Sequence, residues 1–423
     1  MRYSLLKVSL CLTVMLDLSA GAPLSAQHWP QFRGPSGQGH APRSHPPVKF
    51  GEEELLQWKT EIPGRGWSSP VIWENEIWVT TAVGDADDPN RLRLGALGLD
   101  ALSGKILHRT ELFVIDHPEP IHDDNSYASP TPVIDERHLF CHFGTFGTAA
   151  VDRRTGNVLW KNESLKVEHQ GGPGSSPIGY RDLLIVTCDG ANAQYVVALR
   201  KQDGTQAWIR HRSAPHRPDP ITHRAFSTPL LWTDNGEDLL ISPAADQVHA
   251  YRPESGAEVW HVRYTGFSNV PAPVTHEDLV FVCTGFFEPA LAAIRRGGSG
   301  DVTQTHVPWF VSRGVSTLPS PIVVSGRIYA LNEGGILTCL DCQTGKVIRK
   351  RRFVGNYSAS PVSAGDKLYF CSEEGKITVL EPNDSLDILQ VNRVNGIIKA
   401  SPAVVGNRFY IRTENHLYCF AEN

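Results

Sequence analysis

One stretch of the chain, Leu318 to Arg349, alternates short apolar runs with polar turns. Its four runs are separated by turns at Ser325-Gly326, Glu333 to Gly335 and Asp341 to Gly345. Alternation with a period of two, broken by glycine-containing turns, predicts a four-stranded antiparallel meander. A single sheet of this kind has two open edges and two apolar faces, so it must pack against other sheets.

The same unit recurs along the chain, and each copy opens with a proline that precedes an apolar run. These opening prolines are Pro70, Pro132, Pro177, Pro229, Pro273, Pro321, Pro361 and Pro402, spaced 40 to 62 residues apart. Small residues such as Ser69 and Ser320 precede them, as expected where inner strands converge. Several copies also carry a glycine turn and an outer-strand tryptophan, such as Trp160, which we expect to lie between adjacent sheets. Repeats of this length with four strands are typical of a β-propeller.

The two ends of the chain complement each other. The last repeat stops at Leu417 to Phe420 without an outer strand, and Glu54 to Lys59 resembles an outer strand with its Trp58. Pairing these segments removes the last open edge of the ring. The sequence therefore predicts an all-β fold over residues 54–423: an eight-bladed β-propeller of four-stranded antiparallel blades, with the last blade closed by an N-terminal strand.

The first 53 residues have a different composition. Residues 1–26 combine Arg2 and Lys7 with an apolar run and small residues, which predicts a signal peptide. Residues 27–53 are rich in proline and glycine and are expected to form an extended arm. We therefore expect an exported protein, periplasmic or extracellular. The mature chain contains no other long apolar segment, so we expect no transmembrane segment in it. The net charge of −5 argues against nucleic acid as a partner.

Insertions interrupt the repeats and are expected to form one rim around the central channel. They span residues 113–127, 211–224 and 295–313, together with a shorter one at residues 84–91. Ligand-binding candidates on these loops and before the opening prolines are His117, His122, Asp123, Asp124, Tyr127, His223, Arg224, Arg313 and Tyr357. The four residues from His117 to Asp124 have the composition of a divalent-metal site, but ordinary polar loop residues explain them as well. No catalytic residue and no metal ligand is assigned.

The cysteines are expected to be small buried residues. Four of them, Cys141, Cys188, Cys283 and Cys371, occupy equivalent positions in different repeats and are therefore too far apart to form disulfides. Cys339 and Cys342 form a C-x-x-C pair without a second pair, so a structural role is favoured over zinc binding or redox chemistry. No nucleophile elbow, zinc-protease, P-loop or dinucleotide-binding motif is present.

The repeated pattern resembles that of pyrroloquinoline-quinone (PQQ) propellers. It has the form apolar-Asp-x-x-Thr-Gly-x-x-x-Trp, as in Val151 to Trp160, and its first half recurs from Leu340 to Lys346. The resemblance extends over essentially the whole mature chain. The segment His28 to Pro35 is similar to the start of exported PQQ-like proteins of planctomycete-type bacteria.

This resemblance implies one of two functions. One branch, the quinoprotein dehydrogenases, binds PQQ and calcium in an eight-bladed ring. The other is non-catalytic and includes the outer-membrane barrel-assembly lipoprotein. This chain lacks adjacent cysteines, the long insertions of the enzymes, and any matching calcium-ligand set or catalytic aspartate. We therefore expect a binding or scaffold propeller that presents a loop-built face to a protein or other ligand, without a cofactor. The alternative is a PQQ- and calcium-dependent oxidoreductase.

Overall fold

A computed structural model describes residues 28–213, 217–234 and 236–422. The predicted signal peptide lies outside these residues. The described residues form eight antiparallel sheets, called here blades 1 to 8, and two short 3-10 helices at Gly144–Phe146 and Pro220–His223. The prediction of an all-β, eight-bladed propeller is confirmed.

The strands are numbered in chain order. Before the first blade come β1 (His28–Trp29), β2 (His40–Ala41) and β3 (Leu56–Glu61). Blade 1 contains β4 (Val71–Trp73), β5 (Glu76–Gly84), β6 (Arg91–Asp100) and β7 (Ile106–Asp116). Blade 2 contains β8 (Val133–Ile134), β9 (His138–His142), β10 (Thr148–Asp152) and β11 (Val158–Asn162). Blade 3 contains β12 (Ile178–Tyr180), β13 (Leu183–Asp189), β14 (Gln194–Arg200) and β15 (Gln206–His211). Blade 4 contains β16 (Leu230–Asp234), β17 (Glu237–Ala244), β18 (Gln247–Tyr251) and β19 (Glu258–Arg263).

The second half of the ring repeats this order with one irregular blade. Blade 5 contains β20 (Val274–His276), β21 (Leu279–Cys283), β22 (Leu291–Arg295) and β24 (Trp309–Val311), and the intervening β23 (Gly300–Asp301) adds to blade 4. Blade 6 contains β25 (Ile322–Val324), β26 (Arg327–Leu331), β27 (Ile336–Asp341) and β28 (Val347–Arg352). Blade 7 contains β29 (Val362–Ala364), β30 (Lys367–Cys371), β31 (Lys376–Leu380) and β32 (Ile388–Arg393). Blade 8 contains β33 (Ala403–Val405), β34 (Arg408–Arg412) and β35 (His416–Ala421), with β3 as its outer strand.

The two chain ends close the ring within blade 8. Strand β3 pairs antiparallel with β35, with Trp58 opposite Cys419 and Lys59 opposite Tyr418. The side chain of Trp58 is buried and its indole Nε1 donates to Ala101 O of blade 1 at 3.1 Å. Strand β3 therefore supplies the missing outer strand of blade 8, as the sequence predicts.

The antiparallel order of each blade defines two faces of the ring. Turns from the first to the second strand and from the third to the fourth lie on one face, called here the arm face. Turns from the second to the third strand, and the connections between blades, lie on the other, called here the loop face. The insertion at 113–127 and the described residues of the insertion at 211–224 connect blades and lie on the loop face. The prediction of a single rim is wrong for the third insertion, because residues 296–308 connect β22 to β24 on the arm face.

The N-terminal arm docks across the arm face, a point that the sequence left open. Strand β1 pairs with β4 of blade 1, and β2 pairs with β29 of blade 7. Between them, Nη2 of the fully buried Arg33 donates to Pro321 O of blade 6 at 2.8 Å. Thr275 N of blade 5 donates to Gln38 Oε1 at 2.7 Å. The arm therefore covers this end of the channel and joins blades that are distant in sequence.

A ring of hydroxyl groups ties the inner strands together. Each hydroxyl lies one residue before an opening proline and accepts from the backbone amide of the preceding blade. The six bonds run from Ser69 N to Thr131 Oγ1, Thr131 N to Ser176 Oγ, Ser176 N to Thr228 Oγ1, Ala272 N to Ser320 Oγ, Ser320 N to Ser360 Oγ and Ser360 N to Ser401 Oγ, all between 2.9 and 3.0 Å. Only small side chains with an acceptor satisfy these buried amides at the narrowest point of the ring.

Outer-strand tryptophans lock neighbouring blades together at the rim. The indole Nε1 of Trp208 donates to Pro253 O of blade 4 at 3.1 Å, and its ring covers Gly256. Trp58, Trp160 and Trp309 dock in the same way on Gly104, Gly204 and Gly345. Gly256 has a φ of +67°, and a Cβ there would lie 2.5 Å from the Trp208 ring. Glycine is therefore required both by the left-handed backbone and by the space that the indole occupies.

We expect Ser320→Ala to lower the free energy of unfolding by about 1–3 kcal/mol, because it leaves the amide of Ala272 buried without an acceptor. Denaturant unfolding followed by tryptophan fluorescence measures the change. The control is Ser299→Ala at an exposed position, which should stay within about 0.5 kcal/mol of the unmodified protein. Equal unfolding midpoints for the two variants would contradict a role of the hydroxyl ring.

We expect Gly256→Ala to destabilise the protein by about 1–3 kcal/mol more than Gly406→Ala, because the added methyl group displaces the Trp208 ring. Both glycines have positive φ, but a Cβ on Gly406 would meet nothing within 4 Å. The pair therefore separates the packing cost from the backbone cost, which is about 1–2 kcal/mol for either variant. Thermal unfolding followed by circular dichroism makes the comparison, and the same shift in both variants would refute tryptophan docking.

Candidate functional site

The central channel narrows to a small cavity that opens toward the loop face. Its volume is about 110 Å³, and Phe32 of the arm lines it from the arm side. The residue directly before each opening proline forms a throat ring, lined by Ser69, Thr131, Ser176, Thr228, Ser320, Ser360 and Ser401. The residue three positions before each opening proline forms a mouth ring: Trp67, Ser129, Gly174, Phe226, Val270, Leu318, Ser358 and Lys399. The repeat thus places one residue ahead of each blade at the mouth.

Lys399 is the cation of the mouth ring, and its side chain is only 11% exposed. Its Nζ donates to Asp124 Oδ1 at 2.8 Å and lies 3.7 Å from Glu373 Oε2. It also lies 5.9 Å from the ring centroid of Trp67, within cation–π range. The hydrogen bond from Lys399 is the main cause that lowers the pKa of Asp124 below its ordinary value. The charge of Lys399 is therefore balanced by the protein itself.

The predicted loop residues His122 to Asp124 fold over this mouth. Asp123 O accepts from Arg65 Nη2 at 2.6 Å, and Arg65 lies over Trp67 at 5.5 Å. His122 Nδ1 accepts from Asp124 N at 3.2 Å, and its ring lies 3.7 Å from the Asp124 carboxylate. His117 is bound to another part of blade 1 through Asn90 O. The four residues do not converge on one point as metal ligands would.

Three other candidates line the loop face without forming a common pocket. Tyr127 Oη donates to Glu119 O at 2.6 Å, and burial raises the pKa of this phenol. His223 Nε2 lies 2.6 Å from Arg217 O, inside the second insertion. Arg224 Nη1 donates to Gln170 O at 3.3 Å, and burial lowers the pKa of its guanidinium. These contacts hold the loops in place.

The remaining candidates lie away from the mouth cavity. Arg313 is exposed in the connection between blades 5 and 6. Tyr357 is only 1% exposed and packs in the core formed by blades 6 and 7, together with Phe353 and Phe370. The expectation that Tyr357 contacts a ligand is therefore not supported by its position. Its spacing from Pro361 is four residues, which turns the side chain away from the mouth ring.

Buried arginines hydrogen-bond to the segments that carry the residues of the loop face. Arg412 of blade 8 is fully buried, and its Nη1 donates to Ser68 Oγ at 2.6 Å and to Ser68 O at 3.1 Å, beside Trp67. Burial lowers the pKa of Arg412 to about 9. Arg212 and Asp189 form a second buried pair, with Nη2 to Oδ2 at 2.6 Å. These groups fix the connections that carry the mouth ring.

An aromatic patch lies on the loop face of blade 5 and consists of Phe267, Phe286 and Phe287. The rings of Phe267 and Phe287 stack at 4.7 Å, and Phe286 meets Phe287 edge-on at 5.4 Å. Phe286 and Phe287 are 41% and 44% exposed. Arg217 lies 5.6 Å above Phe267 and forms a two-bond ion pair with Asp246. This combination of exposed rings with a charged rim is typical of protein-binding surfaces.

A wider groove of about 500 Å³ lies on the arm face, between the arm and blades 2 to 5. Its two cations already face carboxylates: Arg181 lies 3.8 Å from Asp238, and Lys201 lies 3.6 Å from Asp135. The long insertions between blades are on the opposite face, so the loop face is the stronger candidate for recognition.

The channel mouth does not fit a bound PQQ. Its volume of about 110 Å³ is well below the roughly 300–1,000 Å³ of typical ligand pockets. Lys399, the cation of the mouth ring, is already paired with Asp124 and Glu373. The seven cysteines of the described residues are all buried and free. Accordingly, no chemical step on a quinone can be derived from these residues.

Sequence reasoning missed Trp67, Lys399 and the phenylalanines of the patch. The mouth ring has a constant register, three residues before each opening proline, so Trp67 and Lys399 could have been found by aligning the repeats. Phe286 and Phe287 lie in a turn that spans residues 284–290, whereas the equivalent turn of blade 6 spans residues 332–335. The sequence signal that could have revealed the patch is the pair of adjacent phenylalanines in a turn that is longer than its equivalent in blade 6.

These features define the class of protein: a closed eight-bladed propeller with a narrow hydroxyl-lined channel and a loop-built face. The family model described as outer membrane protein assembly factor BamB matches residues 58–242 and 192–423. The chain belongs to this family of PQQ-like repeat propellers.

Solved structures share the fold at low sequence identity. BamB from Moraxella catarrhalis is 14% identical, with a TM-score of 0.57 over 87% of this chain and 99% of that chain. A europium-containing methanol dehydrogenase is 11% identical, with a TM-score of 0.65 over 94% of this chain and 98% of that chain. Identities this low show a common fold and nothing finer.

One curated relative is an enzyme. The tetrathionate hydrolase of Acidithiobacillus ferrooxidans is 19% identical over 311 residues, which cover 68% of this chain and 54% of the hydrolase. The chain thus aligns with about half of that enzyme. In the described part of this chain the helices are short 3-10 turns, and none is long or apolar enough to cross a lipid bilayer.

We expect Lys399→Met to loosen the His122 to Asp124 loop over the channel mouth, because it removes the cation that holds Asp124. Global stability should change by about 1 kcal/mol or less, since Asp124 is exposed. Hydrogen exchange of the peptide 117–125 should become faster. Lys105→Met, in an exposed turn on the arm face, is the control, and unchanged exchange in Lys399→Met would show that the loop is held by other contacts.

Proposed function

We propose that this protein is an exported, non-catalytic binding or scaffold propeller that recognises a protein partner with its loop face. The observation that carries the proposal is the aromatic patch of Phe267, Phe286 and Phe287. Large aromatic side chains supply much of the energy of protein interfaces when a partner excludes water from them. Here two phenylalanines are left more than 40% exposed in a protein that buries most of its other aromatic rings.

The narrowness of the channel supports binding on the loop face rather than inside the ring. Its throat is filled by hydroxyl groups that are already engaged with backbone amides, and the arm covers its far end. A ligand of ordinary size therefore meets the loops first. Asp123, Arg224 and Arg313 give the loop face charged groups of both signs, and Arg217 with its partner Asp246 does so beside the patch.

Export is part of the same proposal. The apolar segment within residues 1–26 supports it, as does membership of a family described by an outer-membrane assembly factor. We propose a periplasmic or extracellular location and no nucleic-acid partner, consistent with the mildly negative net charge.

The alternative function is a PQQ- and calcium-dependent oxidoreductase. The fold likeness to a methanol dehydrogenase over 94% of this chain favours it. The small volume of the channel mouth and the pairing of Lys399 speak against it. Under this alternative the protein would supply only binding and orientation, and the quinone would supply the redox chemistry.

The proposed function is tested by placing a photo-crosslinking amino acid at position 287 of the full-length protein in its native host. We expect a discrete crosslinked protein partner, because Phe287 lies at the centre of the patch. Substituting Phe286→Ser in the same chain should reduce the crosslinked fraction at least tenfold, since interface aromatics contribute about 2 kcal/mol or more.

The matched control is the same probe at Leu102, which is 54% exposed on the arm face. Crosslinking at position 287 without crosslinking at position 102 supports recognition through the loop face. Equal products at both positions, or none at position 287, would reject it.

The alternative is tested on purified protein by equilibrium titration with PQQ and calcium, followed by quinone absorbance. We expect no saturable binding at micromolar PQQ. Saturable binding together with reduction of the quinone by alcohols or sugars would replace the scaffold function with the enzymatic one.

A further inference from the structure

A cluster of metal-ligating side chains lies on the outer strands of blade 4, far from the channel mouth. His249 on β18 and His261 on β19 are directly opposite each other in the antiparallel pair. Glu258 lies three residues before His261 on the same strand, and the β-bulge between Ala250 and Tyr251 shifts the register at this point. One ligand atom from each of the three residues lies within 4.8 Å of the other two.

Both imidazoles approach the Glu258 carboxylate through Nδ1. Nδ1 of His249 lies 3.3 Å from Oε2, and Nδ1 of His261 lies 2.7 Å from Oε1. Ligand atoms about 2.1 Å from a tetrahedral zinc ion lie roughly 3.4 Å apart. The first distance, 3.3 Å, is close to this value, and the second, 2.7 Å, has to widen by about 0.7 Å.

The far side of each ring faces an oxygen acceptor. Nε2 of His249 lies 2.8 Å from Gln247 Oε1, and Nε2 of His261 lies 3.7 Å from Asp301 Oδ2. Metal-bound histidines usually donate their second N–H to a carboxylate or carbonyl group, which fixes the tautomer that exposes the other nitrogen to the metal. The arrangement around His249 follows that rule, whereas 3.7 Å is too long for a hydrogen bond from His261 Nε2, which has no partner among the described residues.

His249 Nδ1 is the atom that indicates a missing cation. The side chain of His249 is 0% exposed, and Nδ1 has no hydrogen-bond partner among the described residues. With the proton on Nε2, its lone pair faces a carboxylate oxygen. In this tautomer two acceptors face each other at 3.3 Å, and a cation between them removes the repulsion.

We propose that His249 Nδ1, His261 Nδ1 and the Glu258 carboxylate bind a zinc ion at the rim of blade 4. Two imidazoles and one carboxylate are a known zinc-ligand set that leaves a fourth position for water. Zinc on His261 Nδ1 requires the tautomer with its proton on Nε2, so the proton between Nδ1 and Glu258 Oε1 moves to Nε2, the side that faces Asp301. Glu258 is 26% exposed and also accepts from Ser213 Oγ at 2.8 Å, so the site has an open side for entry.

The position of Asp301 suggests what the ion does. Asp301 belongs to β23, which adds to β19 as a fifth strand. It comes from the connection of blade 5, the one that lost the glycine turn on which other blades dock a tryptophan. This connection runs beside Trp260, whose indole Nε1 has no hydrogen-bond partner among the described residues. A zinc ion that orients His261 toward Asp301 would fasten this connection to blade 4.

The test uses tag-free full-length protein, stripped with a chelator and titrated with zinc chloride by calorimetry. We expect one zinc per chain, and cobalt substitution should give the visible absorption bands of a tetrahedral site. Glu258→Gln should weaken zinc binding at least tenfold. Asp301→Asn, a change at a side chain that is 45% exposed and therefore compatible with folding, should weaken it about 10- to 100-fold.

The control is His276→Ala, because His276 is a half-buried histidine outside the cluster, and it should leave the stoichiometry unchanged. Zinc should also raise the melting temperature of the unmodified protein but not of Glu258→Gln, since a ligand stabilises only the state that binds it. Absence of stoichiometric zinc and of the cobalt bands, or zinc binding that is unchanged in Glu258→Gln, would overturn the proposal.

Discussion

The hydrogen bonds between backbone amides and hydroxyl groups at the throat of the channel are the interaction on which the ring depends. Eight inner strands converge at one axis, so a residue there must be small, and it must also satisfy a buried amide of the preceding blade. Serine and threonine meet both requirements, and six such bonds are present. The same crowding keeps the channel narrow. A propeller built in this way has little room for a ligand inside, and its recognition surfaces lie on its faces.

At the rim the problem is reversed, because the blades diverge and leave gaps. Tryptophans of the outer strands fill these gaps and dock on glycines in left-handed conformation, where no other residue leaves room for the indole. The inner ring works by hydrogen bonds and the outer ring by packing. Together they join eight sheets, none of which has a complete core of its own.

The departures from this regular plan concentrate at blades 4 and 5. Ala272 replaces the throat hydroxyl of blade 5, the turn that carries Phe286 and Phe287 is longer than its equivalent in blade 6, and the glycine turn is replaced by a connection that crosses to blade 4. The aromatic patch and the His249–Glu258–His261 cluster occur at these departures. Where the repeat is regular, its residues maintain the ring, whereas the irregular blades are free to carry recognition and metal binding.

The sequence by itself determined the architecture, because the opening proline recurs in all eight blades, the glycine turn recurs in five of them, and the two chain ends supply complementary parts of blade 8. It also placed His122 to Asp124 on an insertion near the channel. It did not determine that Asp124 pairs with Lys399, that Tyr357 is buried, or that His249 and His261 meet across two strands. Those contacts join residues from different repeats or depend on the rotation of a side chain about its strand. The closed ring brings Asp124, in the first connection, next to Lys399, which precedes the last blade. The pairing of two strands within blade 4 brings His249 opposite His261. Both contacts exist only in the tertiary structure.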